Sequence, residues 1–466
     1  MKVWRLFIFV VFVGIIAGCN NSNETRSDKT NFVIIYCDDL GYGDLSCFGA
    51  TDIKTPNIDR LAGEGMKFTE FYSASPICSP SRAALMTGRI PQRMGIHGVF
   101  FPESFKGMPL DETTLPELLK KAGYATGMVG KWHLGHMLPY LPLQRGFDEY
   151  FGIPYSNDME SVVYLDGNVV ADHHPDQHYI TRTYTEKALD FIDRKKDGPF
   201  FLYLAHSMPH VPIYASENFV GTSERGLYGD VIQELDWSVG EILTKLEAEG
   251  ILDKTLLVFS SDNGPWLVMK DHGGSAGILR EGKMFTFEGG QRVPTLAMWP
   301  NTIEAGSIYS NMGLMMDWLP TFCEIAGVDL PSDREYDGES LLKVLKGEGE
   351  REGDEFLYFD GGKLECYRKG DWKIKMPYKG FEGAPWKQGV AAHPLLLINL
   401  KEDPGEKNNL AEKYPEKVEE MLAGMKKYKE EKGELPPPVF IRSPADESHY
   451  QHVREKYGEG YYKLGS

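Results

Sequence analysis

Residues 31–37 read NFVIIYC and give the first decisive information about the fold. A short run of Val, Ile and aromatic residues without polar alternation is typical of a strand buried on both faces of a sheet. Similar runs at 124–129, 199–205, 255–261 and 293–299 predict further strands. Five such runs predict a sheet at the centre of the molecule.

Helical patterns alternate with these strands. One begins at Pro56, and others cover residues 114–122, 181–195 and 230–249. Strands that alternate with helices form mainly parallel sheets, because the connections carry helices onto both faces. The sequence therefore predicts an α/β fold in which a large, mainly parallel sheet is sandwiched between helices.

The pattern changes near residue 351. Short strands joined by tight turns are expected at 356–359, 366–369, 372–376 and 395–400, and a charged helix follows at Pro415–Glu431. This order predicts a smaller antiparallel sheet with one helix. We therefore expect a large N-terminal domain at 31–350 and a small α+β subdomain with a tail at 351–466.

The charge composition of the chain limits the classes of partner that it can bind. The chain has 466 residues and a formal net charge of -18, without a long basic run. An acidic protein of this kind is not expected to bind nucleic acid, whose phosphates would be repelled. An anionic small substrate remains compatible if a few basic side chains converge in one cleft.

The first residues are typical of an export signal. Lys2 and Arg5 precede an apolar run at 6–17, which ends in Gly18-Cys19. This pattern predicts a lipoprotein signal peptide at 1–18, lipid attachment to Cys19 and a flexible tether at 19–30. A bacterial lipoprotein anchored in the periplasm or at the cell surface would follow. The alternative is an ordinary signal peptide that ends beside an incidental cysteine.

Ionisable and amide side chains follow four of the predicted strands. They are Asp38 and Asp39, Lys131 and His133, His206 with His210 four residues later, and Asp262 with Asn263. Ligands bind beyond the carboxyl ends of parallel strands. The oxygen donors among these residues suit Ca²⁺ or Mg²⁺. Taken singly, Asp-Asp and Asp-Asn-Gly are also common in solvated turns.

One further motif carries the functional assignment. Cys78-Ser79-Pro80-Ser81-Arg82 is followed by Leu85-Met86-Thr87-Gly88-Arg89. This pattern resembles the sulfatase family, and the resemblance extends from residue 38 to about residue 410. Within the family, residues 152–156 and 98–100 are most similar to the arylsulfatase A branch. The resemblance implies the fold of alkaline phosphatase.

The resemblance implies a modified cysteine and a metal ion. Cys78 would be oxidised to formylglycine by a maturation enzyme, and the hydrate of that aldehyde would supply the nucleophile. One Ca²⁺ ion would be held by Asp38, Asp39, Asp262 and Asn263 together with residue 78. The ion would act as a Lewis acid and as a template for the sulfate group.

The resemblance also implies roles for basic residues. Lys131 and Lys283 would clamp the sulfate oxygens, and Arg82 would orient the modified residue 78. His206 would protonate the leaving group, and His133 would take the proton that releases sulfate. His206 would thus also contact the substrate.

Ser156 and His210 are expected at the substrate rim, although ordinary loop positions explain them equally well. A sulfated glycan or oligosaccharide is the expected substrate. An aryl sulfate is expected to serve as a simpler alternative substrate. Two alternatives remain open at this point. One is a phosphonate monoester or phosphodiester hydrolase of the same superfamily, and the other is a catalytically silent surface-binding lipoprotein.

Overall fold

A computed structural model of the protein describes residues 29–159, 162–380 and 391–439. The expected lipoprotein signal and most of the tether lie outside these residues. The helices are α1 (Pro56–Glu64), α2 (Cys78–Thr87), α3 (Leu115–Lys121), α4 (Ile180–Lys195), α5 (Leu227–Ala248), α6 (Glu288–Gln291), α7 (Trp318–Ala326), α8 (Leu342–Leu345) and α9 (Pro415–Glu431).

Sixteen strands form three sheets within the described residues. The first eight are β1 (Asn31–Cys37), β2 (Met66–Phe68), β3 (Phe71–Tyr72), β4 (Ala125–Gly130), β5 (Glu149–Gly152), β6 (Tyr164–Asp166), β7 (Val169–Asp172) and β8 (Phe200–Ala205). The others are β9 (Thr255–Ser261), β10 (Thr295–Met298), β11 (Ser307–Tyr309), β12 (Gly313–Leu314), β13 (Glu355–Asp360), β14 (Lys363–Lys369), β15 (Trp372–Lys375) and β16 (Leu396–Asn399).

The large sheet has ten strands in the order β11-β2-β10-β9-β1-β8-β4-β5-β6-β7. At its centre, β9, β1, β8 and β4 are parallel neighbours. Antiparallel pairs occur on both sides, where β10 joins β9 and β6 joins β5. The predicted mainly parallel sheet is therefore confirmed, and four strand ends that carry chemistry lie side by side.

Strand β1 shows that both faces of this sheet are covered. Phe32, Ile34 and Tyr36 belong to one hydrophobic cluster. Val33 and Ile35, which point to the opposite face, belong to another. Successive side chains of a strand alternate between faces, so a strand that is apolar throughout needs packing on both sides.

The smaller sheet has the order β13-β14-β15-β16 and is antiparallel throughout. Helix α9 packs against it, and Met421 and Met425 join the cluster that contains Tyr367, Ile374 and Leu397. The predicted antiparallel sheet with one helix is confirmed. The domain boundary at residue 351 stays a prediction.

Charged and tyrosine side chains join the four-stranded sheet to α6 and to strand β3. We call Glu70, Tyr72, Glu288, Arg368, Lys373 and Glu406 the interface cluster. Lys373 Nζ lies 2.9 Å from Glu288 Oε1 and 2.9 Å from Glu406 Oε1. Tyr72 donates a hydrogen bond of 2.6 Å to Glu288. Because buried charges are stable only when paired, this network fixes the four-stranded sheet against α6 and strand β3.

Within the described part of the chain, no helix has the length and apolar character needed to cross a membrane.

Candidate active site

Two neighbouring strands deliver the carboxylates of the site. Since β1 and β9 run parallel, the residues after them leave the sheet side by side. The backbone N–H of Asp39 donates to Asp262 Oδ1 at 3.1 Å. Asp39 has a φ of 64°, a left-handed conformation that Asp tolerates better than most residues. This turn keeps Asp38, Asp39 and Asp262 at one edge of the sheet.

Helix α2 adds Cys78 and Arg82. The two residues are four positions apart, so they lie on the same face of the helix. Cys78 Sγ is 3.4 Å from Asp38 Oδ1. Arg82 donates from Nε to Asp262 Oδ2 at 3.0 Å and from Nη1 to the carbonyl of Lys131 at 3.0 Å. The spacing within the cysteine motif therefore brings the thiol and an arginine to the same carboxylates.

The donor atoms fit a hard metal ion. One ligand atom from each of Asp38, Asp39, Cys78 and Asp262 lies within 4.8 Å of the others. Beside them, Asn263 donates from Nδ2 to Asp39 Oδ1 at 2.7 Å. Among the described atoms, the buried Oδ1 of Asn263 has no hydrogen-bond partner. Carboxylates and an unpaired amide oxygen are ligands that Ca²⁺ prefers.

Two buried lysines contact the same carboxylates. Lys131 Nζ is 2.5 Å from Asp38 Oδ2 and 3.1 Å from Ser156 Oγ. Lys283 Nζ is 2.7 Å from Asp39 Oδ2. Burial alone would raise the pKa of Asp38, but the ammonium of Lys131 holds it well below the usual range. Both lysines are therefore fixed beside the carboxylates of the candidate metal site.

The buried charges of this site balance one another. We call Asp38, Asp39, Arg82, Lys131, Asp262 and Lys283 the strand-end cluster, which contains three carboxylates and three cations. A bound divalent cation would leave an excess of two positive charges. An anionic ester would offset that excess, so metal and substrate would complement each other. Burial, reinforced by Asp38, raises the pKa of Asp262 to about 7.

Close backbone contacts hold Lys283 in place. The N–H of Lys283 donates to the carbonyl of Pro265 at 2.8 Å. A Cβ added to Gly264 would lie only 1.8 Å from the carbonyl oxygen of Gly289. Trp266 lies beneath the lysine, with its ring centroid 4.5 Å from Nζ. The glycines permit the loop to approach β9 so closely that its lysine reaches the site.

His133 also lines the cavity above this cluster. Its Nε2 lies 2.9 Å from the carbonyl of Phe100, whereas Nδ1 is buried without a hydrogen-bond partner among the described atoms. Burial lowers the pKa of His133 well below its usual value, and Lys131 adds to this effect. The ring is therefore neutral at pH 7. If Nε2 carries the proton, Nδ1 can accept another.

The structure does not bring His206 to the cavity. Its Nε2 lies 3.1 Å from Ser238 Oγ on helix α5, and Thr185 donates to that hydroxyl at 2.6 Å. Burial lowers the pKa of His206 to about 3. Among the described residues, the cavity lining includes His210 but not His206. The position of His206 therefore does not support the expected contact between this histidine and the substrate.

His210 occupies the position expected for His206. The N–H of Asp38 donates to the carbonyl of Met208 at 3.2 Å, so the segment after β8 returns beside the end of β1. His210 Nε2 lies 3.6 Å from Asp39 Oδ2. One ring nitrogen also lies within 4.8 Å of ligand atoms of Asp38 and Cys78.

A cavity of about 370 Å³ opens above the cluster and falls within the size range of small-molecule sites. Cys78, Ser156 and Lys283 line it, and the contact of Ser156 with substrate stays a prediction. Phe101 and Asp360 also line it, and sequence reasoning missed both. Asp360 comes from the small sheet, and no short-range motif connects it to the site.

Comparison with known families decides the family of this chain. Residues 30–328 match the family model described as Sulfatase. Residues 281–432 match the model described as N-sulphoglucosamine sulphohydrolase, C-terminal. The chain belongs to the sulfatase family. The resemblance that the cysteine motif indicated is thereby confirmed, and this sulfatase is a sulfuric ester hydrolase.

Individual relatives cover most of the chain. Human N-acetylgalactosamine-6-sulfatase is 40% identical over 421 residues, which are 81% of this chain and 80% of that protein. Human arylsulfatase A is 36% identical over 448 residues, which are 87% of this chain and 88% of that protein. This similarity supports the predicted relation to the arylsulfatase A branch.

A solved structure shares the architecture. It comes from work on glycosaminoglycan metabolism by Bacteroides thetaiotaomicron and superposes with a TM-score of 0.80 at 31% identity. The match covers 86% of this sulfatase and 100% of that chain.

Proposed function

We propose that this sulfatase hydrolyses sulfate esters of carbohydrates, with residue 78 converted to formylglycine and one Ca²⁺ ion bound beside it. The observation that carries the proposal is the convergence of Asp38, Asp39, Cys78 and Asp262 within 4.8 Å, beside a cavity that Cys78 lines. Asn263 completes the proposed ligand set through its unpaired oxygen.

The proposed groups would supply two kinds of chemistry. As an aldehyde hydrate, residue 78 would supply a hydroxyl nucleophile, and Ca²⁺ would supply Lewis-acid polarisation. The need for a maturation enzyme follows from the modification. Cys78 itself is a weak nucleophile here, because burial raises its pKa well above the usual value and keeps the thiol protonated.

The cations bind and orient the ester. Lys131 and Lys283 would donate hydrogen bonds to the sulfate oxygens and stabilise the charge that develops in the transition state. Both are buried and fixed by carboxylates, so little reorganisation is needed when substrate arrives. Arg82 would hold Asp262 and the first turn of α2 in register.

The histidines move protons. We assign the general acid to His210, not His206, because His210 lines the cavity and contacts the metal-binding carboxylates. It would protonate the oxygen of the leaving alcohol. His133 would accept a proton at Nδ1, since Nε2 is occupied by the carbonyl of Phe100.

A galactosamine 6-sulfate is the first glycan substrate to test, given the relative that acts as an N-acetylgalactosamine-6-sulfatase. An aryl sulfate would serve as the activated substrate. The proposal also includes sulfated oligosaccharides as substrates of this enzyme.

Peptide mass spectrometry on active enzyme tests the central step. The peptide that contains residue 78 should carry an aldehyde in place of the thiol. Cys78→Ala should keep the fold and lose at least about 10⁴-fold in turnover, as expected when a nucleophile is removed. Full activity with an unmodified cysteine, or hydrolysis of phosphonate esters but not sulfate esters, would overturn the proposal.

Metal content provides a second test. Purified enzyme should hold one Ca²⁺ per chain, and Asp262→Asn or Asn263→Ala should lower that content. Chelation should abolish sulfate release, and added Ca²⁺ should restore it. Two zinc ions in the site would contradict the assignment.

Lipid attachment at Cys19 lies outside the described residues and stays a proposal. Cys19→Ala should release the protein from the membrane fraction. Unchanged fractionation would contradict a lipid anchor.

A further inference from the structure

The strand-end cluster places paired cations and carboxylates beneath the cavity, whereas two further carboxylates line the cavity itself. Among the described residues that line the cavity, Lys283 carries a permanently charged ammonium group. This ammonium contacts Asp39. Lys131 lies directly below, bonded to Asp38 and Ser156. The other aspartate, glutamate, lysine or arginine residues among the described lining residues are Asp158 and Asp360.

Asp158 is attached to the sulfate end of the cavity. It follows Ser156, which accepts the hydrogen bond from Lys131, and Asn157. Asn157 Nδ2 donates to Gln177 Oε1 at 3.2 Å and to the carbonyl of Pro212 at 3.1 Å. This segment is therefore fixed from two sides, and Asp158 stands exposed at its end.

Asp360 approaches from the small sheet. It ends β13, and the following turn is bound to the catalytic part of the chain. Gln92 Nε2 donates to the carbonyl of Gly361 at 2.9 Å. Gly362 lies so close to His97 that an added Cβ would be 2.9 Å from Nδ1. The hairpin is thereby held against the cavity, and its carboxylate has a defined position.

Apolar side chains fill much of the remaining wall. Phe101, Met159 and Met284 line the cavity, and Phe101 is 50% exposed. Such a wall suits the C–H face of a sugar ring but offers no partner to a second anion. The cationic groups thus suffice for a single sulfate.

We propose that the sugar ring carrying the reacting sulfate is otherwise uncharged, and that Asp158 and Asp360 accept hydrogen bonds from its hydroxyl groups. This inference rests on the proposed carbohydrate substrate. Hydroxyl groups that donate to a carboxylate form short, strong hydrogen bonds. A second sulfate on the ring would face like charge instead, so this sulfatase selects singly sulfated rings by attraction and by repulsion.

Sulfate release from N-acetylgalactosamine 6-sulfate and from the corresponding 4,6-disulfate tests this inference. We expect kcat/KM of the wild-type enzyme to favour the monosulfate at least about tenfold, the scale of one hydrogen bond to a charged group. Asp158→Asn, Asp360→Asn and the double variant should lower kcat/KM for the monosulfate. They should also bring the ratio between the two sugars towards one.

Asp329→Asn is the matched control, because Asp329 is exposed and does not line the cavity. It removes the same charge and should leave the ratio unchanged. Equal rates of the wild-type enzyme on both sugars would overturn the inference, as would variants that keep the wild-type ratio. Suppose that one of these two results is obtained while the wild-type enzyme still hydrolyses an aryl sulfate. The selectivity inference then fails, but the proposed sulfatase chemistry stands. If formylglycine-bearing enzyme releases no sulfate from any of the three esters, both proposals fail.

Discussion

The strand-end cluster and the interface cluster both bury carboxylates against lysine and arginine, yet they differ in what the carboxylates face. In the strand-end cluster, oxygens of Asp38, Asp39 and Asp262 converge within 4.8 Å at a cavity. In the interface cluster, Lys373 lies between Glu288 and Glu406, and no residue of that cluster is among the described residues that line the cavity.

This difference separates a site from a structural joint. Carboxylates that converge repel one another and gain from a metal ion, so such a cluster binds ligands at some cost in stability. Carboxylates that share a buried lysine are already paired with a cation. Although burial opposes it, Lys373 holds the pKa of Glu288 down, at about 2. We therefore expect substitutions in the first cluster to affect activity and those in the second to affect stability.

His210→Ala should show the largest effect. For an alkyl sulfate, whose alkoxide needs a proton, turnover should fall by about 10²–10⁴-fold. An activated aryl sulfate should suffer much less, because its phenolate leaves without help. Steady-state kinetics on both substrates provide the measurement.

His206→Ala is the matched control for that prediction, since Ser238 binds His206 away from the cavity. It should change stability without a selective loss on the alkyl sulfate. A selective loss in His206→Ala, with none in His210→Ala, would return the general acid to His206.

Lys373→Met should destabilise the fold by about 3–5 kcal/mol, because it leaves Glu288 and Glu406 buried without their shared cation. Denaturant unfolding measures this change. Lys369→Met, on an exposed pair with Glu355 in the same sheet, should cost less than about 1 kcal/mol. Activity per folded molecule should change little in Lys373→Met. Equal stability losses in both variants would contradict the structural assignment.

Lys283→Met should lower turnover by about 10²–10³-fold, equivalent to about 3–4 kcal/mol of transition-state stabilisation. The loss should appear with both the alkyl and the aryl sulfate, since both carry the same sulfate group. The exposed Lys270→Met serves as control and should retain activity. A loss confined to one ester would show that Lys283 does not act on the sulfate.

Asp236 is a buried carboxyl that belongs to neither cluster. Its substitution should have a smaller effect, which is a pH-dependent change in the free energy of unfolding. Asp236 is bonded by Asn57 Nδ2 and by the N–H of Ile58, each at 2.8 Å. Burial raises its pKa from 3.8 to about 6 in the folded protein. The stability it contributes is therefore complete below pH 4 and is lost as pH rises through 6. Relative to wild type, Asp236→Asn should gain about 2–3 kcal/mol between pH 4 and pH 8.

Unfolding of both proteins across this pH range checks the sign. A stability difference that does not change with pH would show that Asp236 keeps an ordinary pKa.

The amino-acid sequence by itself determined the central strands, the antiparallel sheet and the family. These follow from local patterns: apolar runs need burial on both faces, and the cysteine motif places Cys78 and Arg82 on one face of α2. The edge strands β5–β7 were not predicted, because short strands carry little local signal. The convergence of the proposed ligands Asp38, Asp39, Asp262 and Asn263 was predictable because parallel strands end at one edge.

Tertiary structure alone decided that His210 faces the cavity and that Asp360 lines it. His206 and His210 both follow β8, and their spacing does not reveal that the chain turns back at Met208 to meet Asp38. Asp360 reaches the cavity only because Gln92 binds the hairpin that follows β13. The physical reason is the same in both cases. Contacts between residues far apart in the sequence depend on the path of the backbone, and local patterns of apolar and polar residues do not encode that path.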